Sequence, residues 1–298
     1  MTGPGTEGEI LVGVDGSATS AAAVEWAARD AELRGRPLRL VHVVPPIVMP
    51  RTPWPELPVA YARYADDLAR QITHHSCSLA VAATSPGYAS RITTEIIGGP
   101  IVPTLLGLSK AADMVVVGCI GETAATRALM GSVSSSLVHR AHCPVAVIHG
   151  EHLPSSEAPV LVGMDGSSAS ELATAIAFGE ASYRGVDLVA LHAWSDMGPL
   201  GFPDFDWAPI DWRNVKEYTE NEFSRHLSGW QERYPEVRVT PIVVCDRPTN
   251  RLLEQADSAQ LIVVGGHGRG AATGVHSGSV SNAIVHSAQI PVIVAQRG

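Results

Sequence analysis

The sequence predicts a duplicated α/β protein built as two tandem, doubly wound, five-stranded and mainly parallel sheets, one in residues 1–150 and one in residues 151–298. Three observations predict it. The chain has 298 residues, about twice a common domain length of ~150. Four blocks of sequence recur in the same order in its two parts. Within each part, short β-branched runs alternate with segments of helical length, the pattern of a parallel layer with crossover helices.

The blocks carry the domain argument. ILVGVDGS (10–17) returns as VLVGMDGS (160–167), and LRLVHVV (38–44) returns within DLVALHAW (187–194). MVVVGCIG (114–121) returns as LIVVGGHG (261–268), and GSVSSSLVHRAHCPVAVI (131–148) as GSVSNAIVHSAQIPVIVA (278–295). The offset is 150 residues early and 147 late, read directly from those positions. A small loop deletion explains that difference without any change of topology. The stretch GEHLPSSEA (150–158) has the polar, proline-containing character of a linker.

In the first half, strands are expected at 10–14, 38–43, 91–97, 114–117 and 145–148, and helices at 18–33, 61–83, 102–109 and 132–140. The strands are nearly continuous apolar runs, as burial on both faces of a parallel sheet produces. Segments 45–58 and 195–212, rich in proline and aromatics, read as long ordered loops.

Composition narrows the function. Hydrophobic residues make up 45% and charged residues 17%, so the chain folds rather than staying disordered. The formal charge of -9, with no basic patch, argues against nucleic acid. No signal peptide and no span of ~20 apolar residues is visible, which sets a cytoplasmic expectation. Cys77, Cys119, Cys143 and Cys245 form no CxxC pair and read as buried small residues.

Candidate chemistry gathers where the strands end. In open α/β sheets, ligands sit beyond the carboxyl ends of the strands, where strand order reverses. Asp15 and Asp165 close the first strand of each half, followed by Gly-Ser and a helix. The fourth strand ends in Gly118-x2-Gly121-x9-Gly131-Ser132, and its counterpart in Gly265-x2-Gly268-x9-Gly278-Ser279. Glycines there permit positive φ and close approach of an anion. The closing Gly-Ser opens a helix whose free amides favour phosphate, with the hydroxyls of Ser132, Ser134, Ser279 and Ser281 as further donors. A carboxylate suits a ribose hydroxyl. Together the motifs describe a phosphate-bearing nucleoside without choosing its base. The plainer alternative is that the glycines only turn the chain and the serines only cap helices. A Walker loop is absent, since the lysines are Lys110 and Lys216, outside these loops. No dinucleotide fingerprint follows the first strand, and no Gly-x-Ser-x-Gly elbow occurs.

On these residues each half resembles a universal stress protein domain of the ATP-binding type, in the tandem arrangement of actinobacterial members. The resemblance runs over residues 10–295. It implies ribose contact at Asp15 and Asp165, and adenine contact through the backbone of Val43 and Ala193. It implies phosphate contact at Gly118, Gly121, Gly131, Ser132, Val133 and Ser134, and at Gly265, Gly268, Gly278, Ser279, Val280 and Ser281. It also implies ATP as ligand, magnesium on the phosphates, an internal pairing of the halves, a homodimer, and an unnamed protein partner in a stress response. No catalytic residue and no protein metal ligand set is expected. Glu122 stands where a basic residue is frequent, while Arg269 keeps it, so the first site is expected either to be the weaker or to point Glu122 outward. Ala272 replaces a frequent aromatic. Slow ATP hydrolysis or nucleotidyl transfer, and a nucleotide-free interaction module, are the alternatives.

Among the histidines, His267 and His276 lie in or beside the second glycine loop, where a charged ring can donate to phosphate. His42 and His192 recur at the end of the second strand and are expected to bond a neighbouring loop. His139, at a helix end, complements the dipole. It is no metal ligand with His142, nor is His149 with His152, because partner ligands are missing. Trp207, Trp212 and Trp230 are expected to pack in a core or interface.

Overall fold

A computed structural model describes residues 8–46, 57–119, 131–150, 154–194, 212–266 and 278–296. The backbone divides into two compact units, 1–153 with 296–298, and 154–295.

The first unit runs β1 (Glu9–Gly13), α1 (Ala18–Leu33), β2 (Leu38–Val44), α2 (Leu57–Ala82), β3 (Ile92–Gly98), α3 (Ile101–Leu108), β4 (Ala112–Gly118), α4 (Ser132–Arg140) and β5 (Val145–Ile148). Its strands pair in the order β3-β2-β1-β4-β5, all parallel. The second unit repeats this with β6 (Val160–Gly163), α5 (Ser168–Arg184), β7 (Leu188–Trp194), α6 (Trp212–Gln231), β8 (Val239–Cys245), α7 (Pro248–Ala256), β9 (Leu261–Gly265), α8 (Ser279–Ser287) and β10 (Val292–Ala295). Its order is β8-β7-β6-β9-β10, again parallel. The chain runs outward from the first strand on one side and then returns to the other. The strand order of each unit therefore reverses between β1 and β4, and between β6 and β9, which leaves a crevice beyond those strand ends.

The helices begin and end where local chemistry requires. Ser17 and Ser167 cap α1 and α5 by accepting the Ser20 and Ser170 amides. Both helices stop at a left-handed glycine, Gly35 at φ +63 and Gly185 at φ +66. The Arg36 amide then returns to Ala31 O (2.8 Å) and the Val186 amide to Ala181 O (3.0 Å). The core follows the expected apolar runs. Ile10, Leu11, Val12, Val115, Val116 and their second-unit counterparts are fully buried.

Three expectations need correction. Burial on both faces holds for the inner strands but not for β3 and β8, which pair on one side only among the described residues and expose most positions. Thr93, Thr94 and Glu95 face solvent on β3, and Pro241 is tolerated in β8 because an edge strand needs no amide there. The second helix starts at Leu57 rather than at 61, so part of the segment expected as a loop is helical; residues 47–56 and 195–211 lie outside the described residues. Finally, Cys119 and Cys143 are buried as expected, but Cys77 is half-buried and Cys245 is exposed at the end of β8.

Burial pushes the Cys143 thiol up to about 12, so little thiolate forms near neutral pH, and the thiolate is the reactive form. Iodoacetamide at pH 8 is therefore expected to modify Cys245 first and Cys143 only after denaturation, read by peptide mass spectrometry. Equal labelling of the two in the native protein would contradict this packing.

The packing expected of the tryptophans is seen at Trp230. Trp230 stacks on the buried Phe178 at 5.7 Å between ring centroids, with Arg233 5.0 Å above its ring. Trp207 lies outside the described residues, as do His152, His267 and His276.

Candidate functional site

Each crevice is built by two turns, one after the first strand and one after the fourth. Beyond β1 the Val14 amide still bonds Val41 O (2.9 Å), and the chain then turns at Asp-Gly-Ser. Gly16 adopts φ +86 and Gly166 φ +75, a conformation that L side chains rarely tolerate. The Ser17 amide (3.0 Å) and hydroxyl (2.7 Å) both donate to Asp15 Oδ1. The Asp15 amide donates to Ser20 Oγ (3.2 Å), and the Ser20 amide to Ser17 Oγ (3.1 Å). The second unit repeats three of these bonds. They are Ser167 N to Asp165 Oδ1 (2.9 Å), Asp165 N to Ser170 Oγ (3.0 Å) and Ser170 N to Ser167 Oγ (3.2 Å).

The second turn leaves β4. Cys119 N bonds Ile148 O (2.8 Å), and after the excursion Gly131 N returns to Cys119 O (2.7 Å), pinning the loop at its base. In the second unit Gly266 N bonds Ala295 O (2.8 Å), and Gly278 N bonds Gly266 O (3.1 Å). Gly131 and Gly278 occupy the N-cap positions of α4 and α8 without any side-chain cap. The first helical bonds are Ser135 N to Gly131 O and Asn282 N to Gly278 O. The amides of Ser132, Val133 and Ser134, and of Ser279, Val280 and Ser281, therefore have no partner within their helices. The contrast with α1 and α5, which are closed by serine side chains, is built into the sequence.

The structure revises two roles expected from sequence. The hydroxyls of Ser134 and Ser281 are not turned to an anion. Ser134 Oγ donates to Cys119 O (2.9 Å) or Gly131 O (3.0 Å), and Ser281 Oγ to Gly278 O (3.0 Å), with both residues 2% exposed. Their contribution to an anion is the backbone amide, while Ser132 and Ser279 are exposed in the first turn of their helices. Gly118 and Gly265 are also not at positive φ. A Cβ on Gly118 would lie 2.8 Å from Thr19 C and 2.9 Å from Ser20 N, and on Gly265 2.9 Å from Ala169 C. These glycines are needed so that the first turn of α1 or α5 can pack on the strand end, which brings the Asp turn beside the glycine loop. Gly121, Gly268, Glu122, Arg269 and Ala272 lie outside the described residues.

Val43 and Ala193 face the same crevice through their main chains. Val41 O receives Val14 N, and Leu191 O receives Met164 N. In a strand, backbone groups two residues apart point the same way. The N–H and C=O of Val43 and Ala193 thus point toward the first strand of their sheets, beyond the place where that strand has turned away. Gly99 N bonds Val44 O (2.9 Å), which places the alternate residue toward β3.

In the second unit these pieces enclose a cavity of about 170 Å³ lined by Asp165, Ser170, Ala193, Gly265, Ser279 and the residues between them. A single water needs only ~15 Å³ by this measure, so the space admits an organic ligand. Its apolar wall comes from Met164, Leu191, Pro248 and Leu252, none of which a motif marks. A signal was present. Both repeats place a glycine two residues before the aspartate, and a Cβ on Gly163 would be 3.1 Å from Leu252, as one on Gly13 would be 3.4 Å from Leu105. The glycine thus marks where a third helix leans over the crevice.

The histidines that recur beside the crevice hold its frame. His42 Nδ1 lies 2.7 Å from Val14 O and His192 Nδ1 2.7 Å from Met164 O. A carbonyl only accepts, so Nδ1 carries the proton in both rings. Phe223 of α6 stacks on His192 at 5.7 Å. His142, for its part, bonds Ser109 through its amide (3.0 Å). Among the described residues no group of three His, Cys, Asp or Glu side chains is placed to hold a metal ion, and no helix is long and apolar enough to cross a membrane.

A parallel α/β layer with an acidic turn and an uncapped helix facing one another across the switch point defines a doubly wound crevice protein, duplicated in tandem. The sequence matches the universal stress protein family twice, over residues 8–149 and 158–296. The chain belongs to that family. It is 54% identical over 302 aligned residues to universal stress protein Rv1996 of Mycobacterium tuberculosis, covering 96% of this chain and 94% of that one. It is 47% identical to universal stress protein Rv2005c of the same organism, over the whole of both chains. The crystal structure of a universal stress protein from Archaeoglobus fulgidus has the same fold, with a TM-score of 0.67 at 20% identity, covering 98% of this chain and 97% of that one.

Proposed function

We propose that each half binds an adenine nucleotide, with ATP as the physiological ligand, and that the chain acts as a nucleotide-dependent regulator rather than an efficient enzyme. The observation that carries this reading is the meeting of two complementary ends in one crevice. A fixed carboxylate, Asp15 or Asp165, lies on one side, and three uncapped helix amides lie on the other. The carboxylate repels phosphate and suits a sugar hydroxyl, while the helix N-terminus attracts the phosphates. The main-chain donor and acceptor of Val43 or Ala193 suit the edge of a base, and the apolar wall of Met164, Leu191 and Leu252 suits its faces. The described residues fit the nucleotide itself. They supply no side-chain set for magnesium, which would be held by the phosphate oxygens.

The absence of turnover is part of the proposal. Among the described residues lining the second crevice, Asp165 is the one ionisable side chain, and its Oδ1 accepts the Ser167 amide. An efficient phosphoryl-transfer site needs positioned charge and a group that orients the attacking oxygen.

Denaturing the purified protein and identifying what is released by chromatography and mass spectrometry should yield ATP or its hydrolysis product, at up to two per chain. Asp165→Asn keeps the acceptor for the Ser167 amide but removes the charge. It is expected to weaken the second site about tenfold, the size of a charge-assisted hydrogen bond, and to lower the recovered nucleotide toward one per chain. Protein that carries no nucleotide and takes up none on dialysis against ATP would remove this reading in favour of a nucleotide-free module.

A further inference from the structure

We propose that Ser17, and Ser167 in the second half, are positioning residues that aim the carboxylates of Asp15 and Asp165 at the ribose, beyond capping their helices. This rests on the nucleotide reading of the crevice.

A cap needs only an acceptor, and Ser17 Oγ serves as one for the Ser20 amide at 3.1 Å. The hydroxyl has a proton left over, and it goes to Asp15 Oδ1 at 2.7 Å, the oxygen that also receives the Ser17 amide at 3.0 Å. Asp15 N closes the ring on Ser20 Oγ at 3.2 Å. Two donors converging on one oxygen set the rotation of the carboxylate plane. A carboxylate offers about four acceptor sites, and none of the described hydrogen bonds uses Asp15 Oδ2. That oxygen is left with its orientation predetermined. In the second half the same residues recur with Asp165 on the cavity wall and Ser170 beside it. The left-handed glycine between Asp and Ser makes the short ring possible, and Ile72 lies against it in the first half, 3.1 Å from where a Cβ would stand. A preset acceptor spends no rotamer freedom when the sugar arrives, which is the advantage of a site held in its bound geometry.

A serine that only caps and a serine that also aims predict different binding ratios, measurable with the full chain. The ratio is the Kd for 2′,3′-dideoxyATP over the Kd for ATP, by equilibrium dialysis, with both halves changed together. The wild type is expected to prefer ATP at least tenfold. Ser17→Ala with Ser167→Ala should bring the ratio below about threefold, and Ser→Thr at both positions should restore it. Ser→Gly at both positions is the separating variant. Glycine at a helix N-cap costs only a few tenths of a kcal/mol, so the melting temperature stays near that of the wild type. It has no hydroxyl to give the neighbouring carboxylate, so the ratio falls. Alanine variants that keep the wild-type ratio would overturn the inference, as would a wild-type ratio of one with ATP still bound. A wild type that binds neither nucleotide would instead overturn the reading of the crevice itself.

Discussion

Gly265→Ala is expected to lower the stability of the second half by about 3 kcal/mol, at the upper end of overpacking penalties, and to empty its crevice at the same time. The added methyl would stand 2.9 Å from Ala169 C, 3.0 Å from Ser170 N and 3.1 Å from Ala169 Cβ. The first two are backbone atoms in the capped first turn of α5, so no side chain can swing aside. Either α5 lifts from β9 or β9 bends. In both cases Asp165 moves with the turn, because its amide bonds Ser170 Oγ. For a unit of this size the loss corresponds to a fall of about 6–12 °C in the melting transition. Gly118→Ala is expected to behave alike in the first half, where the nearest backbone atoms would be at 2.8 and 2.9 Å. Gly107→Ala is the control. It lies inside α3 with nothing within 4 Å of the added carbon, so it should stabilise by about 0.5–1 kcal/mol through helix propensity and a stiffer unfolded chain. Calorimetry that finds Gly265→Ala as stable as wild type would mean that the close approach of α5 to β9 is not a constraint on this chain.

That pair of glycines also shows how far the sequence could be read. The repeat, the doubly wound parallel layer of each half and the two turns were legible, because duplication marks the blocks and alternating strands and helices leave few ways to connect them. The assignment of Asp15 and Gly131 to one crevice followed from their places at strand ends. The reason for Gly118 did not. A glycine required by a passing helix and one required by an anion look the same in a sequence, and only the distance to Thr19 and Ala169 separates them. Ser134 shows the same limit, since a serine in the first turn of a helix can aim its hydroxyl outward or back at the loop that precedes it. Here the bonds to Cys119 and Gly131 turn it back. The exposure of β3 was hidden for a different reason. Its central residues Thr93, Thr94 and Glu95 are polar, but β-propensity alone does not say whether a strand ends a sheet or lies within it. Leu252 and Met164 were missed because wall residues of a cavity share the chemistry of the core.

The duplication carries a second constraint that no motif marks. Near the end of α5, Glu180 is completely buried and its Oε2 lies 2.8 Å from Arg184 Nη2, an i,i+4 pair whose arginine is 9% exposed. In α1 the same place holds Asp30, also completely buried, 2.8 Å from Arg34 Nε, with the arginine 19% exposed. Such pairs contribute little net stability when intact, because desolvating both charges offsets most of their attraction, yet removing one partner leaves an ion in the interior. Arg184→Met is therefore expected to destabilise the second half by about 3 kcal/mol, whereas Glu180→Leu with Arg184→Met should return close to wild type or exceed it. Arg34→Met should cost less than Arg184→Met, since Asp30 sits beside a more open arginine position through which water can reach the carboxylate. Urea unfolding of the single and double variants measures both differences, and with them the coupling between the two charges. If the double variant were as unstable as Arg184→Met alone, the loss would belong to the packing of the arginine stem rather than to an isolated charge. A loss at Arg34 equal to that at Arg184 would show that access of solvent does not govern the cost, and the two copies would then be held by the same internal balance despite their different exposure.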